Sequence, residues 1–315
     1  MEALPRVVTQ ARTELSKGVV GQREFIDQLL LAVLCGGHAL IEGVPGLAKT
    51  MVVKLAARFL GISFQRVQCT SDLMPADIIG GNIFNMATST FVVHKGPLFT
   101  DLLLADEINR MPPRTQAALL ESMEERQITI DGTRYPLTEF FTVLATQNPI
   151  EFEGTYPLPE AQLDRFLLNI KVDYPKADEE VAILERFQNG FDSRELDQLQ
   201  IEAITPDMLR SARMEIRRVK VEPQLFRYVS DIIRRTRDWA TISLGASPRA
   251  GVSLLNVSKA IAGMDDRDYL IPDDVKQAVK PVLRHRLAVK PEAELEGIDT
   301  DAILTDVLAA VEVPK

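Results

Sequence analysis

The segment Gly43-Val44-Pro45-Gly46-Leu47-Ala48-Lys49-Thr50 decides the fold of this chain. An apolar run, Ala39-Leu40-Ile41, precedes it, and a helical pattern follows, with apolar residues at Val52, Leu55, Ala56 and Phe59. A strand, a glycine-rich loop, Lys-Thr and a helix, in this order, are the usual setting of a nucleotide phosphate site. The glycines let backbone N–H groups turn toward phosphate oxygens, and the helix N-terminus adds a positive partial charge. The segment therefore predicts a phosphate loop in which Lys49 reaches the β- and γ-phosphates and Thr50 holds Mg²⁺.

Ala48 departs from the usual pattern of such a loop, which has glycine at this position. An alanine allows the backbone to approach phosphate closely if its φ angle stays negative. The alternative is a plain glycine turn that joins a strand to a helix.

A second apolar run, which ends in two carboxylates, supports the phosphate site. Residues 102–105, Leu-Leu-Leu-Ala, are typical of a buried strand in a parallel sheet, and Asp106 and Glu107 follow directly. The carboxyl ends of such strands meet in the crevice where open α/β sheets bind ligands. Asp106 is predicted to hold the Mg²⁺ shell, partly through water, and Glu107 to polarise the attacking water. Solvated loop acids are the alternative. A site that only binds nucleotide has no need of Glu107, so this residue favours hydrolysis.

The composition is that of an ordinary globular protein. The 315 residues suffice for about two domains, and 46% of them are apolar. The net charge of −9 gives no support to non-specific nucleic-acid binding, although it leaves room for a local basic patch. Cys35 and Cys69 lack CxxC spacing and are predicted to be reduced core residues of a cytoplasmic protein. Neither a signal peptide nor a membrane span is expected.

Residues 38–172 alternate between short apolar runs and helical patterns. This alternation predicts an α/β layer with a mostly parallel sheet. Two hairpins are predicted to interrupt it, at residues 83–93 and, around Asp131-Gly132, at residues 127–135. The predicted strands cover residues 38–41, 64–68, 102–105, 140–145 and 166–172, with a helix at 114–126.

Beyond Pro175 the strand patterns stop. Residues 190–202 are polar and are predicted to form a loop, whereas helical patterns cover residues 177–189, 206–219, 223–239, 248–263 and 272–287. Four of these begin with a proline, which is favoured in the first turn of a helix. The sequence therefore predicts two domains, an α/β core over residues 1–175 and an all-helical domain over residues 176–315.

Three further residues are candidates for the site. Asn148 follows another buried strand pattern and could bind the γ-phosphate or the attacking water, but Asn-Pro is also a common turn. Arg165 could act as a finger on a neighbouring subunit's nucleotide, or form a surface ion pair with Asp164 or Glu160. Arg249 lies in the first turn of a predicted helix, where the helix dipole disfavours a cation by only about 0.3–1 kcal/mol. A nearby phosphate would explain this position, and chance is the alternative.

Taken together, these segments resemble an AAA+ ATPase and, more narrowly, the MoxR family. The resemblance spans nearly the whole chain, from Val19-Val20-Gly21-Gln22 to the last helices. It is carried by the motifs at residues 42–50, 104–110, 145–149, 158–166 and 246–250. An α/β P-loop core followed by a helical lid is the fold that the resemblance implies.

The resemblance also assigns roles to the residues. Asn148 corresponds to sensor 1, Arg165 to the arginine finger and Arg249 to sensor 2, and these act with Glu107 in catalysis. Thr50 and Asp106 are expected to bind Mg²⁺. ATP is expected to contact Val20, Gly21, Gln22, Gly43, Val44, Pro45, Gly46, Leu47, Ala48, Lys49, Thr50 and Met51.

The same resemblance implies a function. MoxR-like proteins resemble chaperones that assemble as rings, typically hexamers, and use ATP to remodel or activate partners. The partners are often metalloenzymes or complexes with von Willebrand factor A domains. A nucleic-acid motor of the minichromosome-maintenance or branch-migration type, a magnesium-chelatase-like subunit and a binding module without turnover are the alternatives.

Overall fold

A five-stranded parallel sheet lies at the centre of the N-terminal part of the molecule. The computed structural model describes residues 1–148 and 154–314, without the side chains of residues 193 and 194. In chain order the elements are α1 (Ala3–Ser16), α2 (Arg23–Leu34), β1 (Ala39–Glu42), α3 (Lys49–Leu60), β2 (Phe64–Gln68), α4 (Pro75–Ile79), β3 (Gly80–Asn85), β4 (Thr90–Lys95), β5 (Leu102–Asp106), α5 (Pro113–Glu125), β6 (Gln127–Ile130), β7 (Thr133–Pro136), β8 (Thr142–Gln147), α6 (Glu160–Leu163) and β9 (Leu168–Lys171). The central sheet has the order β2-β5-β8-β1-β9, and all its pairings are parallel. The prediction of an α/β core is confirmed.

The register of the sheet brings its polar strand ends to one edge. Ala105 of β5 pairs with Ala145 of β8, and Gln68 at the end of β2 pairs with Asp106. The inner strands are almost wholly buried because helices cover both faces of a parallel sheet. Strands β5 and β8 therefore deliver the residues that follow them to a single crevice, as expected for this class of fold.

Both predicted hairpins are present. Strands β3 and β4 pair antiparallel, as do β6 and β7 around Asp131-Gly132. The first hairpin is longer than predicted, because Gly80 and Lys95 extend the pairing. Asn82 Nδ2 donates a hydrogen bond of 2.7 Å to Asp131 Oδ2, which joins the two hairpins.

Helices dominate the C-terminal part. They are α7 (Ala177–Gln188), α8 (Pro206–Arg218), α9 (Pro223–Arg237), α10 (Pro248–Met264), α11 (Pro272–Leu283), α12 (Pro291–Leu295) and α13 (Thr300–Ala310). The expectation that strands stop after Pro175 is wrong in one detail, since β10 (Ile242–Leu244) pairs antiparallel with β11 (Ala288–Val289). These strands are too short to show a period in the sequence. The predicted loop likewise contains a 3-10 segment, Ser193–Gln198. The division at residue 175 stays a prediction.

Helix α1 packs against the C-terminal part. The carboxylate of Glu215, on α8, accepts hydrogen bonds from the backbone N–H groups of Glu2, Ala3 and Leu4 at distances of 2.8–3.0 Å. These are N–H groups that a helix start leaves without an internal partner. Both cysteines are free thiols, Cys69 buried and Cys35 half-buried. No helix in the described ranges has the length and apolar character that crossing a bilayer requires.

Candidate active site

The phosphate loop is shaped by two glycines and one strained alanine. A Cβ atom on Gly43 would lie 2.7 Å from the carbonyl oxygen of Val172, so only glycine fits there. Gly46 has a φ angle of 88°, which favours glycine. Ala48 has a φ angle of 56°, so the condition of a negative φ, under which alanine would fit without strain, is not met. The loop must turn sharply into α3 at this point, and a left-handed residue costs about 1–2 kcal/mol for an L-amino acid.

Lys49, the first residue of α3, lies over the loop. Its Nζ atom donates hydrogen bonds to the carbonyl oxygens of Gly43, at 2.5 Å, and Val44, at 3.2 Å. Burial lowers the pKa of Lys49, and the charges of Asp106 and Glu107 partly offset this effect. The ammonium group is thus held at the helix N-terminus, where anions bind.

A cavity of about 580 Å³, here called the phosphate cavity, opens beside this loop and contains charged and polar side chains as well as apolar ones. Its walls include both acids of the β5 edge, together with Thr146 and Asn148 from the end of β8. The complete lining is Pro45, Gly46, Leu47, Ala48, Lys49, Thr50, Met51, Lys54, Asp106, Glu107, Thr146, Asn148 and Leu196. The structure therefore brings together most of the residues predicted to handle phosphate. Pro149, the last residue of the predicted Asn148 motif, lies outside the described residues.

Thr146 links the carboxylate of Asp106 to the backbone of Glu107. Its Oγ1 donates a hydrogen bond of 2.6 Å to Asp106 Oδ1 and accepts one of 2.8 Å from the backbone N–H of Glu107. The threonine itself is buried. Glu107 has a φ angle of 61°, which turns the chain immediately after β5. This role of Thr146 was not predicted, although a hydroxyl at the end of a buried strand is a signal for it.

Two side chains of β2 complete the network around the acids. Arg66 donates to Asp106 Oδ2 through Nε, at 3.1 Å, and Nη2, at 2.6 Å, and also donates to Gln68 Oε1 at 2.8 Å. Gln68 Nε2 in turn donates to Glu107 Oε2 at 3.0 Å. Arg66 and Gln68 were not predicted as site residues, because nothing in the local sequence places β2 beside β5.

The residues available to Mg²⁺ are oxygen donors. Thr50 and Asp106 line the same cavity, which fits a small hard cation that binds oxygen and keeps several waters. In the described ranges no group of three or more His, Cys, Asp or Glu side chains is placed to hold a metal ion.

A larger, mostly apolar cavity of about 800 Å³ adjoins the phosphate cavity. It shares Pro45, Gly46, Leu47, Ala48 and Met51 with that cavity. Its other walls include Val19, Val20 and Gln22 and, from α7, Ile183, Leu184 and Phe187. An apolar cavity joined across a glycine loop to a cavity with charged side chains has the shape and chemistry that a nucleoside triphosphate requires.

Gly21 and Gln22 form a strained turn at the rim of the apolar cavity. Their φ angles are 64° and 56°. A Cβ atom on Gly21 would lie within 2.7 Å of the carboxylate atoms of Glu179, and Gln22 Nε2 donates a hydrogen bond of 3.4 Å to the carbonyl oxygen of Asp173. The turn is thereby held against the start of α7.

Arg165 and Arg249 do not line either of these cavities. They meet elsewhere, at Glu124, with Arg165 Nη2 at 3.0 Å from Oε2 and Arg249 Nη1 at 3.3 Å from Oε1. Arg165 forms an ion pair, as its alternative interpretation proposed, but with Glu124 instead of Asp164 or Glu160. Arg249 does lie in the first turn of α10, where Ser247 caps the helix, and a carboxylate offsets its charge within the chain.

Comparison with known proteins identifies the family. Residues 38–168 match the ATPase family associated with various cellular activities (AAA), and residues 234–307 match the AAA lid domain. The chain is 40% identical over 313 residues to Chaperone MoxR1 of Mycobacterium tuberculosis, covering 96% of this chain and 81% of that protein. It belongs to the MoxR family of AAA+ ATPases.

Two further similarities agree with this assignment. Protein MoxR of Paracoccus denitrificans is 30% identical over 333 residues, which cover 96% of this chain and 95% of the relative. A crystal structure of a protein from Cytophaga hutchinsonii matches with a TM-score of 0.90 and 41% sequence identity. The match covers 99% of this chain and 96% of the Cytophaga chain. The MoxR-family resemblance and the fold inferred from sequence are confirmed.

Proposed function

We propose that this MoxR-family protein binds ATP with Mg²⁺, hydrolyses it in a homo-oligomer, and uses the energy to remodel partner proteins. The single observation that carries this proposal is the pair of adjoining cavities, one apolar and one lined by Lys49, Thr50, Asp106 and Glu107. The adenine would occupy the apolar cavity beside Val20, and the phosphates would lie along the loop.

The chemistry follows from the charged and polar residues of the phosphate cavity. Lys49 and the N–H groups that open α3 bind the β- and γ-phosphates. Mg²⁺, bound by Thr50 and Asp106, would neutralise charge on the phosphate oxygens. Glu107 would accept the proton of the attacking water, and Asn148 would orient that water or the γ-phosphate. Thr146 accepts a hydrogen bond from the backbone N–H of Glu107, and Gln68 donates one to its carboxylate, so both position Glu107.

The positions of Arg165 and Arg249 support a site completed by a second subunit. Both arginines lie outside the two adjoining cavities of their own chain and share one face at Glu124. In a ring, which we propose to be hexameric, this face would meet the nucleotide of the neighbouring subunit. An arginine supplied across an interface raises phosphoryl-transfer rates by about 10³–10⁵.

A protein client is supported by the surface of the β3–β4 hairpin. Residues 80–93 carry no charged side chain, while Met86 is 88% exposed and Phe91 is 71% exposed. Nucleic-acid binding depends on Lys and Arg at the phosphate backbone, and residues 80–93 contain neither. The client could be a von Willebrand factor A domain protein or a metalloenzyme, and we place the reaction in the cytoplasm. An ATPase rate unaffected by added DNA would agree with this assignment, whereas DNA-stimulated turnover would favour a nucleic-acid motor.

Mixing two inactive variants tests the shared site. Glu107→Gln should bind ATP without hydrolysing it, and Arg165→Ala should bind ATP but lose most turnover. Mixed oligomers should regain a fraction of wild-type turnover, because some sites then combine an intact Glu107 with an intact Arg165 from the neighbour. ATP affinity, measured by calorimetry, serves as the control for folding. Wild-type turnover in Arg165→Ala alone would remove its role as a finger.

A further inference from the structure

One carboxylate, Glu124, binds both arginines that we expect to act on a neighbour's nucleotide. It lies at the end of α5, and each of its oxygens contacts a different guanidinium group. The arginines come from different parts of the chain, Arg165 from the segment before β9 and Arg249 from the first turn of α10. The guanidinium group of Arg165 has a second contact, since its Nη1 donates a hydrogen bond of 2.7 Å to the carbonyl oxygen of Leu120.

The surroundings of this pair carry excess positive charge. A cavity of about 250 Å³ is lined there by four arginines and two acids, namely Arg126, Arg165, Arg249, Arg286, Glu124 and Asp164. Four positive charges less two negative ones leave a charge of +2. Asp164 pairs with the buried Arg286, with Nε 2.8 Å from Oδ1. Glu124 is therefore left to neutralise Arg165 and Arg249.

A phosphate would compete with Glu124 for the same donors. Guanidinium groups bind carboxylates and phosphates with the same planar array of N–H groups. A γ-phosphate carries more negative charge than a carboxylate, and Glu124 beside it would repel it. Both contacts of Glu124 are partly exposed, since its side chain is 39% accessible, so they are weak enough to break.

We propose that Glu124 is the resident anion of this arginine pair, and that the phosphate of a neighbouring subunit's ATP displaces it on assembly. Glu124 then sets the protein concentration at which ATP draws subunits together. It is a positioning residue that acts through Arg165 and Arg249. This inference rests on the proposed function, because it requires the two arginines to act across an interface.

The test is ATP-dependent self-association of the full chain, measured by sedimentation with a nonhydrolysable ATP analogue. Glu124→Gln keeps the size of the side chain and removes its charge. The concentration for half-maximal association should fall about threefold to tenfold, because the phosphate no longer has to displace an ion-paired carboxylate. Glu125→Gln, an exposed neighbour on the same helix, should leave it unchanged.

A variant that lacks both arginines distinguishes the proposed role of Glu124 from a purely structural one. In an Arg165→Ala, Arg249→Ala double variant, Glu124→Gln should no longer change association. Association that is unchanged or weakened by Glu124→Gln in the otherwise wild-type chain would overturn the inference. If turnover depends on Arg165 and Glu124→Gln still has no effect, the inference alone fails. If the wild-type chain neither associates with the analogue nor hydrolyses ATP, the proposed function fails with it.

Discussion

Replacing Thr146 with valine tests whether one hydroxyl holds both acids of the active site. The substitution keeps the shape of the side chain and removes Oγ1. Two hydrogen bonds are lost, one to the Asp106 carboxylate at 2.6 Å and one from the Glu107 N–H at 2.8 Å. A hydrogen bond to a charged group contributes about 1.5–3 kcal/mol and a neutral one about 0.5–1.5 kcal/mol. The added methyl group recovers about 1 kcal/mol, so the free energy of unfolding should fall by about 1–3.5 kcal/mol.

The effect on turnover should exceed the effect on folding. Without Oγ1, the backbone at Glu107 and one oxygen of Asp106 lose their anchor at the cavity. Misplacement of a catalytic group by about 1 Å can cost about a hundredfold in rate, and we expect a loss of tenfold or more in kcat. Arg66 still binds Asp106, so nucleotide affinity should change less.

Thr142→Val is the matched control on the same strand. Thr142 is also buried, but its Oγ1 donates only to the nearby carbonyl oxygen of Phe140, at 3.0 Å. Its loss should cost less than about 1 kcal/mol and leave kcat unchanged. Urea unfolding and steady-state ATP hydrolysis are measured for both variants. Equal stability and equal kcat in Thr146→Val and Thr142→Val would refute the assigned role of the Thr146 hydroxyl.

Two other predictions concern the phosphate loop and acid stability. Lys49→Ala should weaken binding of a nonhydrolysable ATP analogue by about tenfold to a hundredfold, since a charge-assisted contact to phosphate is lost. Lys220→Ala removes a lysine whose Nζ pairs with Asp268 outside both cavities, and it should weaken binding less than threefold by the same calorimetric measurement; equal losses would contradict the loop assignment. Burial lowers the pKa values of His38 and His285 to about 3, helped by the charges of Arg126 and Arg286 respectively. The unfolded chain therefore binds more protons between pH 6.5 and 3, so stability falls as pH falls through this window, by about 2 kcal/mol per histidine at pH 5. The free energy of unfolding, measured at pH 8 and at pH 5, checks this pH dependence. Its decrease between these pH values should be smaller in His285→Gln than in the wild type, and an equal decrease would count against the role of His285.

Local patterns in the sequence were enough for the elements of the site. The loop at residues 43–50, the acids after β5 and both hairpins follow from residue types at short spacing, because a strand period, a glycine turn and a helix start are properties of neighbouring residues. The short strands β10 and β11 were not predicted, because their pairing is not a property of neighbouring residues. Their pairing joins segments more than forty residues apart.

Tertiary structure alone decided which side chains meet. Thr146 reaches Asp106 only because β8 lies beside β5, and Arg66 reaches it because β2 lies on the other side. The contact of Glu124 with Arg249 spans 125 residues of chain. Even the φ angle of Ala48 depends on where β1 and α3 are held relative to each other. Sequence determined the parts and their order, whereas strand order and packing determined their partners, since contacts between distant residues form only once the sheet has assembled.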